Sequence, residues 1–316
     1  MGEKPHRYAQ FNNGSIISIS FRNFGCFQQK VFSFGPHLNL ISGPPKSGKS
    51  TILEGINMVF GAKPESFGEG REYSDFIRRG CGKARVVVLI ADKSAEDKNI
   101  EVAMNIRHNK ARYFIDRREV DDQKLNAFRD HFSIRIECPF LFLNETSIQT
   151  LSDCYSTNLF VYAAHAMCAE RYPGGEFPLF WPIVVQYAIM QANCDLNQAL
   201  SRVGGKGVFQ GVCECVDGFY MYGIDLRASF DAETQMQQLK DLSYNEKCLI
   251  LKLLITSFQQ VDIFPFWCID DNSEETSSML DTIMEQFRSS GTQTIVVTSS
   301  NPRFLEPSGV TTIKTQ

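Results

Sequence analysis

One stretch limits what this chain can become more than any other: Leu38-Asn39-Leu40-Ile41-Ser42-Gly43-Pro44-Pro45-Lys46-Ser47-Gly48-Lys49-Ser50-Thr51. Gly43, Gly48, Lys49 and Ser50 satisfy the spacing G-x-x-x-x-G-K-[ST]. Leu38, Leu40 and Ile41 ahead of the loop read as a short buried strand. Behind it, Ile52, Leu53, Ile56, Val59 and Phe60 recur at helical spacing. Strand, glycine loop and helix in that order make a phosphate cradle, because the N–H groups and dipole of a helix start attract anions. In such a cradle Gly43, Lys46, Ser47, Gly48, Lys49, Ser50 and Thr51 would surround the phosphates. Lys49 would lie against the β- and γ-phosphates, and the Ser50 hydroxyl would ligate Mg²⁺. The alternative is a glycine-rich turn that binds nothing. Two residues are unusual: Pro45 offers no N–H, and Lys46 stands where a residue without a side chain would bend more easily.

Composition narrows the rest. At 316 residues the chain has material for one large domain or two small ones, and 43% hydrophobic with 22% charged residues is ordinary for a globular protein. A net charge of -4 means that any nucleic-acid contact must be local. The ten cysteines are scattered through apolar segments without a C-x-x-C, and the five histidines show no ligand spacing. This argues against a disulfide framework or a structural zinc and for a reducing compartment, cytosolic or nuclear. Residues 1–13 are polar, with no signal-peptide core, and no apolar run reaches membrane-spanning length, so no membrane partner is expected.

Alternation predicts strands over 15–21, 85–91, 100–106 and 112–115, with a glycine-rich loop over 61–70. Asp121 and Asp122 can cap a helix through His131, and Pro139–Leu143 reads as an apolar strand. Helical candidates over 159–172 and 183–200 fill the middle and carry no sustained heptads. Strands over 208–216 and 222–230, joined across Asp217-Gly218, precede a strongly apolar helix over 246–258. Phe266–Ile269 is a buried strand that runs into Asp270-Asp271, followed by a helix over 277–288 and a strand over 294–298. An acid at the end of such a strand completes a phosphate site: Asp270 would hold Mg²⁺ through water, and Asp271 would polarise the attacking water. The alternative is a pair of acids capping the next helix.

These segments together resemble the head of structural maintenance of chromosomes (SMC) proteins, most closely the fifth member of the five–six pair. The resemblance rests on "LNLISGPPKSGKST", "FGAKPESFG" and "DFIRRGC" near the start. It rests equally on "YGIDLRASF", "LSYNEK", "FPFWCIDD" and "TIVVTSSNPRFL" near the end. It covers both ends, about two thirds of the chain, and not the middle. It implies an α/β fold: an ABC-type P-loop NTPase head built from an N-terminal lobe (1–152) and a C-terminal lobe (204–316). Short helices over 153–203 stand in place of the family's coiled coil and hinge. The cofactors implied are ATP and Mg²⁺. The partners implied are SMC heads and a kleisin, in the five–six complex by resemblance, with condensin and cohesin left open.

The sequence departs from the family in two ways. Ser50 and Leu242 stand 192 residues apart, too few for a long coiled coil and a hinge. The hydrolytic positions are also altered. Asp271 stands where the family has Glu, and a misplacement of ~1 Å can cost about a hundredfold in rate. Tyr244 and Asn245 follow Ser243 where the family has two glycines. Leu143 aligns with the Q-loop glutamine and Ser277 with the D-loop aspartate.

The expectation is a hydrolysis-deficient regulator of an SMC complex that binds nucleotide, most simply an inhibitor, nuclear and chromosome-associated with a cytoplasmic pool left open. A slow but working ATPase head is the runner-up. An ABC transporter subunit fits worse, because Thr298-Ser299-Ser300 stands where its His is usual. Arg78, Arg79 and Lys83 are a basic cluster that fits either weak DNA contact or an ordinary solvated surface.

Overall fold

The computed structural model describes residues 10–94, 98–153, 189–190, 192–194, 196–198, 200–201, 204–216, 219–231, 233–259, 264–271, 291–298 and 310–315. The chain divides into two compact units: Met1–Glu137 with Phe264–Asn272 and Thr292–Gln316, and Cys138–Ile263 with Ser273–Gly291. The expected helices over 159–172 and 277–288 and the turn at Asp217-Gly218 lie outside the described residues.

The first unit holds two sheets. One is antiparallel: β1 (Ile16–Phe24), β2 (Phe27–Ser33), β4 (Lys83–Asp92), β5 (Lys98–Arg107), β6 (Lys110–Ile115) and β7 (Arg118–Val120), in the order β2-β1-β4-β5-β6-β7. Its pleat explains the alternation read in the sequence. Phe21, Val86, Met104 and Tyr113 lie opposite one another on successive strands, and all four are buried. The other sheet is parallel in β3 (Leu38–Ser42), β12 (Phe266–Asp271), β13 (Gln293–Thr298) and β14 (Val310–Lys314). Strand β3 lies between β14 and β13, and β12 lies beyond β13. Every described side chain of β3 and β13 is buried, as expected for parallel strands covered on both faces. Helix α1 (Lys49–Val59) touches β4 and β5 of the first sheet and β12 and β13 of the second. Helix α2 (Asp122–His131) starts as its acids predict: Asp121 accepts from the Lys124 N–H at 2.8 Å, and Leu125 is buried.

The second unit contains β9 (Lys206–Val216), β10 (Phe219–Ser229) and β11 (Gln237–Gln238) in the order β11-β10-β9, with β8 (Phe142–Leu143), α3 (Glu145–Asp153) and α4 (Tyr244–Gln259). Residues 189–201 are helical where described. Ile189, Ala192, Leu196 and Leu200 are buried at helical spacing, and Asn193 and Asn197 accept the N–H groups of Phe209 and Gly207.

Two local expectations change. The strand over 139–143 shrinks to Phe142–Leu143, because Pro139 has no N–H for a ladder and Leu141 turns back to the Cys138 carbonyl. Helix α3 then follows at once. Strand β2 was hidden by Gln28, Gln29 and Lys30, which are exposed on an edge strand.

One buried amide joins the two sheets of the first unit. The β1–β4 register shifts between Ile16 and Ser18, and such irregularities leave backbone groups without a ladder partner. The fully buried Gln293 meets that need: Oε1 accepts from Ile16 N–H at 2.8 Å, and Nε2 donates at 2.7 Å to the carbonyls of Ile16 and Gly35. Gln293→Leu keeps the volume and strands these groups in the interior. Urea denaturation should show a loss of about 3 kcal/mol.

Candidate functional site

The parallel sheet places the motif residues. Ser42 lies opposite Thr298, which lies opposite Asp271; Ile41, Val297 and Asp270 form the next row. Since β13 separates β3 from β12, Asp270 stands two strand spacings from the loop strand, roughly 10 Å. Both belong to the carboxyl edge of the sheet, where open α/β sheets bind ligands. Asp271 closes β12 as its last residue.

The loop between β3 and α1 is held from inside. Lys49 is 8% exposed, and its ammonium donates to the Gly43 carbonyl at 2.9 Å and the Pro44 carbonyl at 3.1 Å. This keeps the charge at the loop, where an anion can take it up. Ser47 N–H turns back to the Pro44 carbonyl at 3.3 Å. Lys46 has φ 65°, the left-handed region expected to strain a residue with a side chain. Gly48 has φ 91° and directly precedes α1; a Cβ there would stand 2.3 Å from Cys26 Sγ and 2.6 Å from the Phe27 ring. Only glycine fits. Partial burial pushes the thiol of Cys26, an exposed residue, above its ordinary range. Ser50 and Thr51 open α1 and are half-buried. Gly43, Lys46, Ser47, Gly48, Lys49, Ser50 and Thr51 therefore form one loop and helix start. A hydroxyl and a carboxylate are the hard oxygen donors that suit Mg²⁺.

In the second unit, α4 begins at Tyr244, directly after Ser243. Ser243 caps the helix: its Oγ accepts the Glu246 N–H at 3.4 Å, and its own N–H and hydroxyl donate to Glu246 Oε2 at 2.8 and 2.6 Å. Tyr244 and Asn245 follow on the first turn, both exposed. Leu143 is 1% exposed and apolar, so it offers no ligand atom. Ser277 lies outside the described residues.

The basic cluster is redistributed. Arg78 donates to the Cys26 carbonyl at 2.9 Å beside the loop, whereas Lys83 belongs to a different surface. That surface is the face of the antiparallel sheet opposite its buried row. Arg22, Arg85, Asn105 and Arg112 lie opposite one another across β1, β4, β5 and β6, and Lys83, Arg107 and Lys110 form the next row. The six cations line a cavity of about 770 Å³ that no carboxylate lines among the described residues. Two of the six are paired with acids, Arg85–Glu101 at 3.3 Å and Arg112–Glu119 at 3.7 Å. Like charges directly opposite on neighbouring strands oppose pairing, so this arrangement costs stability unless an anion offsets it. The signal was present in the sequence as cations at alternate positions (Lys83 and Arg85, Lys110 and Arg112), but the register that gathers them was not.

Comparison with known proteins gives one consistent result. The profile of the RecF/RecN/SMC N terminal domain matches residues 15–316. Structural maintenance of chromosomes protein 5 of Caenorhabditis elegans is 27% identical over 166 residues, covering 52% of this chain and 15% of that protein. The protein of the same name from Schizosaccharomyces pombe is 31% identical over 137 residues, covering 42% of this chain and 12% of that one. The chain thus spans a small part of the length of these relatives. Among solved structures, an SMC head bound to the C-winged helix domain of ScpA aligns with a TM-score of 0.76 at 15% identity, covering 91% of this chain and 90% of that one. An SMC head with an extended coiled coil derived from Pyrococcus furiosus, bound to the C-terminal domain of ScpA, aligns with a TM-score of 0.69 at 15% identity, covering 90% of each.

Gly48→Ala tests the loop geometry directly. The new methyl meets Cys26 and Phe27 and holds a disfavoured φ, so the melting temperature should fall by several degrees, equivalent to about 2 kcal/mol.

Proposed function

Because the chain belongs to the SMC family and has the fold of its ATPase head, we propose that it binds Mg–ATP on the Gly43–Thr51 loop, hydrolyses it poorly, and regulates an SMC complex. The observation that carries this reading is the contrast between two helix starts. At α1 the glycine loop, the buried Lys49 and the Ser50 hydroxyl form an open cradle. At α4 the serine cap is kept, but exposed Tyr244 and Asn245 follow it. A triphosphate can be held by the first, while a γ-phosphate offered to the second meets side chains instead of backbone N–H groups. In this assignment Lys49 takes the β- and γ-phosphates, and Ser50 and Asp270 hold Mg²⁺, which would neutralise phosphate charge. Asp271 occupies the position of the base with a carboxylate one methylene short, and Leu143 leaves the water-positioning role unfilled.

A chain of this kind engages other SMC heads or a kleisin through its head fold and limits their cycle. The five–six complex is the leading partner, since both relatives described above are fifth-member proteins, and the setting is nuclear chromatin. The basic face of the antiparallel sheet suits the phosphate backbone of DNA, a contact limited to that face by the acidic remainder of the chain.

A second reading, a slow but working ATPase, is favoured by Lys49, Ser50 and Asp270 on one carboxyl edge. Phosphate release separates the two readings. The regulator should show turnover no higher than Lys49→Ala, alone or mixed with an intact SMC head. Turnover well above that control establishes the slow ATPase. Recovery of no SMC or kleisin subunit from nuclear extract would overturn the regulatory role. For the basic face, Lys110→Glu with Arg112→Glu should weaken duplex-DNA binding about tenfold at moderate salt. The same pair should lower the slope of log affinity against log salt by about 2.

A further inference from the structure

Thr315 lies one residue beyond β14 and is 3% exposed. Its N–H donates to the Ser42 carbonyl at 2.9 Å, which continues the pairing past Lys314↔Ser42. Its hydroxyl reaches two groups: the same Ser42 carbonyl at 3.2 Å and Ser47 Oγ at 2.6 Å. A carbonyl only accepts, so the Thr315 proton goes to Ser42 and the Ser47 hydroxyl donates to Thr315. The entry to the loop is shaped around this residue. A Cβ on Gly43 would stand 2.2 Å from Thr315 Oγ1 and 2.7 Å from its carbonyl oxygen. The C-terminal strand therefore ends as a bracket under the loop, touching it at Ser42, Gly43 and Ser47.

We propose that Thr315 is a positioning residue for the phosphate cradle. It acts through Ser47, the residue before Gly48 and Lys49, and selects the loop conformer that receives the phosphates. The inference rests on the reading of this loop as a nucleotide site. Its physical basis is the loop's own cost. Lys46 sits in the left-handed region and Pro45 can donate no stabilising N–H, so an outside tie adds to the Lys49 bonds in favouring one shape. A site whose competent conformer is only partly populated binds with affinity reduced by that fraction. Removing the Thr315 hydroxyl therefore weakens binding without touching any residue placed around the phosphates.

The test uses the full chain with Thr315→Val, Thr315→Ser, Ser47→Ala, the double variant Thr315→Val/Ser47→Ala, and Lys49→Ala. Each is titrated with Mg–ATP by calorimetry and melted without nucleotide. Thr315→Val removes the hydroxyl at nearly constant volume and should weaken binding about fivefold, the size of one hydrogen bond. Thr315→Ser restores the hydroxyl and should recover affinity to within about twofold. Ser47→Ala also removes a cradle hydroxyl and should be at least as weak as the valine variant, and the double variant should be no weaker than Ser47→Ala, because both break the same contact. If the valine variant fails to fold, Ser47→Ala carries the measurement. The proposal is overturned if valine or alanine binds like the parent, if serine is as weak as valine, or if the two losses add. Binding by the parent and its loss in Lys49→Ala confirm the nucleotide site separately from the tie. No binding by the parent overturns both.

Discussion

The structure depends on the parallel pairing of β3. This five-residue strand carries the phosphate loop, and both of its neighbours come from the other end of the chain. Thr294–Thr298 lies along one side and Val310–Lys314 along the other, in register with Leu38–Ser42. Parallel pairs cannot form by a local turn, so β3 acquires its hydrogen bonds only when segments some 250 residues apart meet. The loop geometry is thus a property of the whole first unit. Gln293 serves the same closure from another direction, by satisfying the irregular start of β1 with an amide from β13.

That closure also gives the site its chemistry. Strand β13 sets the distance between the lysine loop and Asp270, and α1 begins where the loop ends. An anion at the carboxyl edge meets a helix start, an ammonium and, two strands away, a carboxylate suited to a divalent cation. In the second unit, Ser243 precedes α4 and exposed Tyr244 and Asn245 follow it. Capping requires only Ser243 and Glu246, so α4 can form with any residues between them.

Much of this was legible in the sequence, and what was not has physical reasons. The phosphate loop declares itself by glycine spacing, and α2 by its acidic cap, because both depend on neighbours a few residues away. Strand β14 and the contacts of Thr315 were missed, since Val310-Thr311-Thr312-Ile313-Lys314 does not alternate and carries no signal of its partner. The basic face was misplaced for a related reason. Arg78, Arg79 and Lys83 are close in sequence, but the β1–β4–β5–β6 register joins Lys83 to Arg107 and Lys110 and leaves Arg78 tied to Cys26. Pro139 misled in the other direction, since an apolar run suggested a strand that its missing N–H forbids.

A crystal structure of the chain grown with ATP and Mg²⁺, collected after days of incubation, addresses the central claim most directly. The account predicts an uncleaved triphosphate on the loop, with Lys49 on its terminal phosphates and Mg²⁺ at the Ser50 hydroxyl. An empty loop, or ADP in place of ATP, would contradict it.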